Sequence, residues 1–227
     1  MFIGHFAVGF ASKHFAPKAS LAPLLAAPLF LDLLWPIGLL TGLESVRIDP
    51  GNTAVTPLDL HDYPYTHSLA MALLWAALFA GGMWLALRSV RASLAVGLGV
   101  FSHWILDFVT HRPDMPLFPG SATYVGLGLW NSKPATAIVE SAMFAAGVWL
   151  YLRATRAKNR TGTAALWAMV VLLSAMYGAV LFGPPPPSVT AIAVGGLSAW
   201  LFVLWAWWID RNRTPAAGEP RSIAPRT

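Results

Sequence analysis

The sequence predicts an all-α fold, a polytopic bundle of about six transmembrane helices with a short apolar helix ahead of them. Three observations predict it. Of 227 residues, 56% are hydrophobic and only 11% are charged, with a mean hydropathy of +0.59, whereas soluble domains are about a quarter charged. Windows of about 20 apolar residues, long enough to cross a bilayer, recur along the chain. Lysine and arginine collect between those windows on alternate sides of successive spans, the distribution that orients membrane helices.

Taken in order, residues 1–15 form a short apolar segment that Pro17 separates from the next. No basic residue precedes its apolar run and a span follows at once, which does not fit a cleaved signal peptide. Spans are expected over 20–43, 67–87, 92–109, 134–152, 162–182 and 189–209. Trp205, Trp207 and Trp208 beside Arg211 suit an interfacial aromatic belt. Organisation follows: a polar membrane domain over 1–153, two apolar accessory spans over 162–210, and a disordered tail over 211–227.

Lys13 and Lys18, Arg88 and Arg91, Arg153 to Arg160, and Arg211 and Arg213 mark one side, while Glu44, Asp49, Asp59, Asp62 and Asp114 mark the other. The positive-inside rule makes the basic side cytoplasmic and both termini with it, in a bacterial-type inner membrane. The net charge of +5 is accounted for by these span ends and calls for no nucleic-acid partner. The chain has no cysteine, which excludes disulfides and thiolate metal sites. No repeat, dinucleotide or P-loop motif, or Ser-His-Asp signature is visible.

The chemistry concentrates in FSHWILDFVTHRPD, residues 101–114, where His103, Asp107 and His111 stand four apart. Residues at that spacing share a helix face, so His103 and Asp107 can reach one metal ion, as helical histidine pairs do in zinc peptidases. His111 lies about 12 Å along the axis from His103, too far for the same ion without a bend. Pro113 disfavours helix at Arg112, which leaves His111 for a second ion, a substrate group or Asp114.

A second cluster is DLHDYPYTHSL, residues 59–69. Thr66 is expected to cap the helix with His67 in its first turn, and His61 and Asp62 precede them on the outer loop, positioned to fold over the site. Counted from the basic residue at each cytoplasmic end, Asp32 lies about 21 Å deep, His103 about 18 Å, Asp107 about 24 Å and Glu140 about 20 Å, with His67 higher at about 32 Å. A charge at that depth costs at least about 2.5 kcal/mol, so it faces a cavity or a partner. From Gly162 to Ile209 there is no acid, base or histidine.

Blander roles compete with chemistry. His14 and His111 suit helix–helix hydrogen bonds, Asp32 a structural ion pair, and Glu140 a dipole-favoured helix acid. Asp49, Asp59 and Asp114 read as solvated turn residues.

Gly4-His5 in GHFAVGF, Asp32 in FLDLLWP, THSL at 66–69, SHWILDFVTHRPDMPLFP at 102–119, and GLGLWNS at 126–132 followed by Glu140 resemble the predicted membrane-bound metal-dependent hydrolases, the YdjM-like family. The resemblance covers about residues 1–150. It implies an inner-membrane protein whose histidines and aspartates bind a divalent metal, and it brings in His5, which lies about 12 Å from Lys13 and below Asp32. Two departures bear on the number of ions. Asp32-Leu33-Leu34-Trp35 replaces the family's Asp-x-Asp-His, and His61-Asp62-Tyr63-Pro64-Tyr65 replaces its His-Arg-Gly, which removes ligands for a second metal.

The expectation is a metal-dependent hydrolase. Imidazoles and carboxylates without sulfur suit Zn²⁺, with Mn²⁺ or Fe²⁺ as alternatives. His67, His103 and Asp107 would hold the ion, Asp32 would ligate or orient, His5 and His111 would stand nearby, and Glu140, Asp62 or His61 would take the proton from water. An outer-leaflet site suggests a lipid-linked or amphipathic ester or phosphoester. The alternatives are an ion- or proton-coupled transporter and a membrane scaffold locked by its polar cluster.

Overall fold

Each of the six helical segments long enough to cross a membrane begins on a side chain that accepts a hydrogen bond from its first turn. This satisfies amide donors that have no carbonyl partner of their own. The structure, a computed structural model, describes residues 1–216. Ser20 caps α2 (Leu21–Thr41), which follows α1 (Ile3–Phe15). Strands β1 (Ser45–Ile48) and β2 (Leu58–Asp62) form an antiparallel hairpin, then come the single turn α3 (Pro64–His67) and α4 (Leu69–Leu87), capped by Ser68. Ser89 caps α5 (Val90–Thr110), and β3 (Met115–Pro116) pairs with β4 (Tyr124–Val125). Ser132 caps α6 (Lys133–Ala154), β5 (Thr155–Ala157) follows, and Asn159 caps α7 (Arg160–Phe182). Ser188 caps α8 (Val189–Leu197), which precedes α9 (Ala199–Arg211) and β6 (Arg213–Pro215).

Six helical segments have the length and hydropathy to cross a membrane, in register with the six expected spans. Three details differ. The last span is interrupted at Ser198, whose N–H bonds back to Gly195 and Gly196. Residues 213–215, expected within a disordered tail, pair with β5, and residues 217–227 of that tail lie outside the described residues. Met1, at the start of the short apolar segment, is drawn into the bundle. Its amine lies inside the bundle against Asp107, and α1, at about 20 Å long, is too short to span.

Helix α2 is the hub. Its most apolar window is 56% buried, whereas that of α4 is 6% buried, so α4 is peripheral, packed through Ala72 and Ala76 with Leu73, Leu74 and Leu78 turned outward. One apolar cluster joins α2 to α1, α6, α7 and α9 through Phe10, Leu25, Phe144, Leu166 and Phe202. The 162–210 spans share a core with α1. A second cluster joins α2 to α4, α5 and the β1–β2 hairpin through Leu31, Ala72, Val100 and Leu60.

Without hydrophobic drive between helices in lipid, close approach depends on small residues. A Cβ on Gly147 would lie 2.4 Å from the Ala7 carbonyl, and one on Gly99 would lie 2.9 Å from the Ala27 Cβ. Those contacts seat α6 on α1 and α5 on α2. The second seating sets the functional geometry, because His103 lies one turn beyond Gly99.

Candidate metal centre

With α5 seated at Ala27, the His103 ring meets the Pro28 carbonyl, 2.7 Å from Nδ1. A carbonyl only accepts, so Nδ1 carries the hydrogen and Nε2 keeps a lone pair. That Nε2 is buried with no hydrogen-bond partner, and it points at Asp107 Oδ2, 2.9 Å away on the next turn. The i, i+4 face of α5 thus aims a nitrogen and an oxygen at one point.

His67 reaches the same point from another element. Its helix does not begin at Thr66, as expected; Ser68 caps α4, and His67 ends the turn α3. Thr66 is freed for a different task. Its hydroxyl donates to Glu44 Oε2 at 2.8 Å and lies 2.7 Å from His67 Nδ1. The one hydroxyl hydrogen goes to the carboxylate, so His67 Nδ1–H donates to Thr66 and Nε2 is left bare. Glu44 also accepts the Tyr65 and Thr66 amides, and it tucks against α2 where Gly38 has no side chain to obstruct it.

His67 Nε2 lies 3.4 Å from Asp32 Oδ1 and 3.8 Å from Asp107 Oδ2, and His103 Nε2 lies 3.8 Å from Asp32 Oδ1. Ligands at about 2.0–2.1 Å around a tetrahedral Zn²⁺ sit about 3.3 Å apart. The separations of the His67 and His103 Nε2 atoms from the Asp32 and Asp107 oxygens run from 2.9 to 3.8 Å, around that value. Asp32 is the member open to the cavity, with 42% of its side chain accessible. Pro36 denies its backbone carbonyl the usual helical donor.

His5 comes from α1. Its Nε2 lies 3.1 Å from Asp107 Oδ1, and its ring stacks on His103 with centroids 3.8 Å apart. His5, His103 and Asp107 form one compact donor group, and Asp32, His67 and His103 form another that shares His103. A bare, buried His103 Nε2 facing two carboxylates fits a bound cation. The Met1 ammonium against Asp107 is the same complementarity met by an amine.

His111 corrects the distance argument. Helix α5 ends at Thr110, and His111 is extended, with ψ 149°, so its ring turns back until Nε2 lies 3.8 Å from Asp107 Oδ2. Nδ1 donates to Asp114 at 3.1 Å, and the Tyr63 hydroxyl donates to the same carboxylate oxygen. Burial, with Asp114 and Asp107 nearby, holds the Tyr63 phenol well above its ordinary range and keeps it a donor. Arg112 bridges Asp59 at 2.5 Å and Asp114 at 3.4 Å. Asp59 and Asp114, expected as solvated turn residues, therefore brace the site.

Glu140 binds the start of α1, and His61 and Asp62 lie at the hairpin. Glu140 Oε2 accepts the Phe2 and Gly4 amides at 2.8 and 3.2 Å, so the acid fastens the start of α1 and, through it, His5. His61 bonds Ser45 and the Asp59 carbonyl. His61 and Asp62 line a cavity at the hairpin separate from the one that holds Asp32, His67, Asp107 and His111.

A family model described as YdjM inner membrane protein matches residues 1–184. The chain belongs to this family. The motif resemblance had implied it, and the family together with the six candidate spans makes this a multi-pass inner-membrane protein. No curated protein and no solved structure matches the chain. The YdjM match takes in every residue of the polar cluster and ends before α8 and α9. Residues missed from sequence alone are Glu44, Thr66 as a relay, Tyr63 and the Pro28 carbonyl. The one available signal was an acid, Glu44, at the end of an apolar helix with no base beside it.

Proposed function

We propose that this protein is an integral-membrane hydrolase that holds one divalent cation, Zn²⁺ by donor type, between His67, His103 and Asp107 and acts on an amphipathic or lipid-linked ester or phosphoester. The observation that carries the reading is the convergence of bare Nε2 atoms on two carboxylates, each imidazole having its other nitrogen tied to a fixed acceptor. Outer acceptors of that kind fix the tautomer that metal ligation requires. A divalent ion bound there would supply Lewis acidity and water with a pKa near about 7.

The chain's own residues divide the remaining work. Asp32, exposed to the cavity and 3.4 Å from His67, is the carboxylate best supported as the proton acceptor. It takes a proton from water and returns it to the departing oxygen as the ester bond breaks. Glu140 serves as a positioning residue through the Phe2 and Gly4 amides. Trp35, Leu58, Leu60 and Trp130 give the cavity apolar walls, which strengthen electrostatic interactions inside it.

Elemental analysis of the protein purified without added metal, followed by hydrolysis assays on amphipathic carboxyl and phosphate esters before and after chelation, tests the reading. One equivalent of zinc and chelator-sensitive turnover are expected. A metal-free protein that stays metal-free on titration overturns it and leaves the cluster as a lock between helices.

A further inference from the structure

Helices α8 and α9 contribute no residue to the cavity that holds Asp32 and His67, yet they meet α2 at the turn that carries Asp32. Pro36 closes that turn and supplies no N–H to the Asp32 carbonyl. The hydrogen-bond ladder of α2 is therefore one rung short at the candidate proton acceptor, and proline positions are where helices bend. The last span is interrupted alongside, with α8 ending at Leu197 and α9 beginning at Ala199. Residues on both sides of that interruption touch α2. Gly196 packs so closely on the Pro36 ring that a Cβ there would lie 2.5 Å from Pro36 Cγ. The Trp200 indole Nε1 donates to the Leu33 carbonyl at 3.3 Å. Leu33 follows Asp32 and Pro36 closes the turn, so the two contacts bracket the weakened rung.

We infer that the interrupted last span is a brace for α2, and that Gly196 and Trp200 are positioning residues for Asp32. The inference rests on the reading of Asp32 as the proton acceptor. The two imidazoles have supports of their own, His103 on the Pro28 carbonyl and His67 on Thr66 and Glu44. Asp32 leaves 42% of its side chain open to the cavity, so the backbone of α2 has the larger share in placing it. Apolar packing alone would not hold that backbone, because lipid tails compete for the same surfaces. The Trp200 bond is directional and sits in a low dielectric, which fixes the register of the last span against α2. The absence of a side chain at Gly196 lets the Pro36 ring close on that span.

The test follows hydrolysis of p-nitrophenyl octanoate, an amphipathic ester, by the full chain in nanodiscs. In parallel, the rate at which a water-soluble carbodiimide and an amine tag modify Asp32 is read by peptide mass spectrometry. Trp200→Phe keeps a ring and loses the N–H. It should lower kcat about tenfold, short of the 100-fold or so that a displacement of about 1 Å brings, with KM and metal content unchanged. Asp32 modification should quicken about fivefold, the weight of one net hydrogen bond. Gly196→Ala, which pushes Pro36 away, should lower kcat in the same manner. Trp208→Phe, the same replacement at an exposed position of α9, should match the wild-type protein in every reading. Wild-type kcat and Asp32 modification in Trp200→Phe, or equal changes in Trp208→Phe, overturn the inference. Full turnover in Asp32→Asn, with Asp32 modification still quickened by Trp200→Phe, keeps the brace and refutes the acceptor reading. Lost turnover in Asp32→Asn, with Trp200→Phe like wild type, does the reverse.

Discussion

Helices α5 and α7 are both long and apolar, 21 and 23 residues with peak hydropathies of 1.5 and 2.1, yet they are held in the bundle in opposite ways. Helix α7 buries a stripe of Leu166, Met169, Leu173, Tyr177 and Leu181, spaced three and four apart as a helical face requires. Its polar ties go to main-chain carbonyls: the Tyr177 hydroxyl to Thr136, and Trp205 Nε1 and Arg213 to Ala165 and Gly162 of α7. Helix α5 buries His103 and Asp107 as well as the apolar face of Val96 and Val100, and the polar pair is tolerated because α1, α2 and α3 bring His5, Asp32 and His67 to meet it. An apolar stripe is satisfied by any well-shaped neighbour. A polar pair at membrane depth is satisfied only by particular atoms, so α5 depends on the tertiary structure in a way α7 does not.

The largest effect should come from emptying the α5 pair. His103→Ala and Asp107→Ala should each abolish stoichiometric metal binding, and the double variant should lose nothing more when titrated by calorimetry. His111→Ala should bind the same single equivalent about tenfold more weakly, as for loss of a group outside the first ligands. Full retention of metal in His103→Ala would make α5 a packing helix like α7.

A step smaller, Thr66→Val keeps the shape of the relay but removes the acceptor for His67 Nδ1. Metal affinity should fall about 10- to 100-fold with little change in thermal stability. Leu173→Ala on α7 should do the converse, costing about 2–5 kcal/mol while affinity holds. If both variants shift both quantities alike, the two helices are not distinct in kind.

The smallest effect is expected at Glu140. Glu140→Gln retains an acceptor for the Phe2 and Gly4 amides and should cost about 1 kcal/mol, the scale of a helix cap, with metal content unchanged. Turnover that vanishes while structure and metal persist would return Glu140 to the role of proton acceptor and displace Asp32.

Much of the architecture was legible in the chain because it is encoded by local periodicity. Twenty-residue apolar runs define the spans. The i, i+4 spacing puts His103 and Asp107 on one face, and the alternation of basic loops orders the helices. The depth count also brought Asp32, His103 and Asp107 to one level, since helical rise is constant. The count failed at His67 and His111, both of which lie outside the long helices, one in the turn α3 and one just past the end of α5. Where the backbone leaves the helix, its rise no longer predicts where a ring points.

By itself the sequence determined that this protein crosses a membrane, which spans carry ionisable groups, and which of those groups share a helix face. Only the tertiary structure decided which partner each group takes. Glu44 reaches Thr66 across 22 residues, Glu140 reaches Phe2 across 138, and His103 reaches Pro28 across 75. Those pairings turn an acid expected to move protons into an anchor for α1, and two turn acids into braces for His111. The reason is the low dielectric of the interior. Each buried donor or acceptor must find a partner there, and which one is within reach depends on how α1, α2 and α5 close on Gly147 and Gly99, contacts that no local pattern specifies.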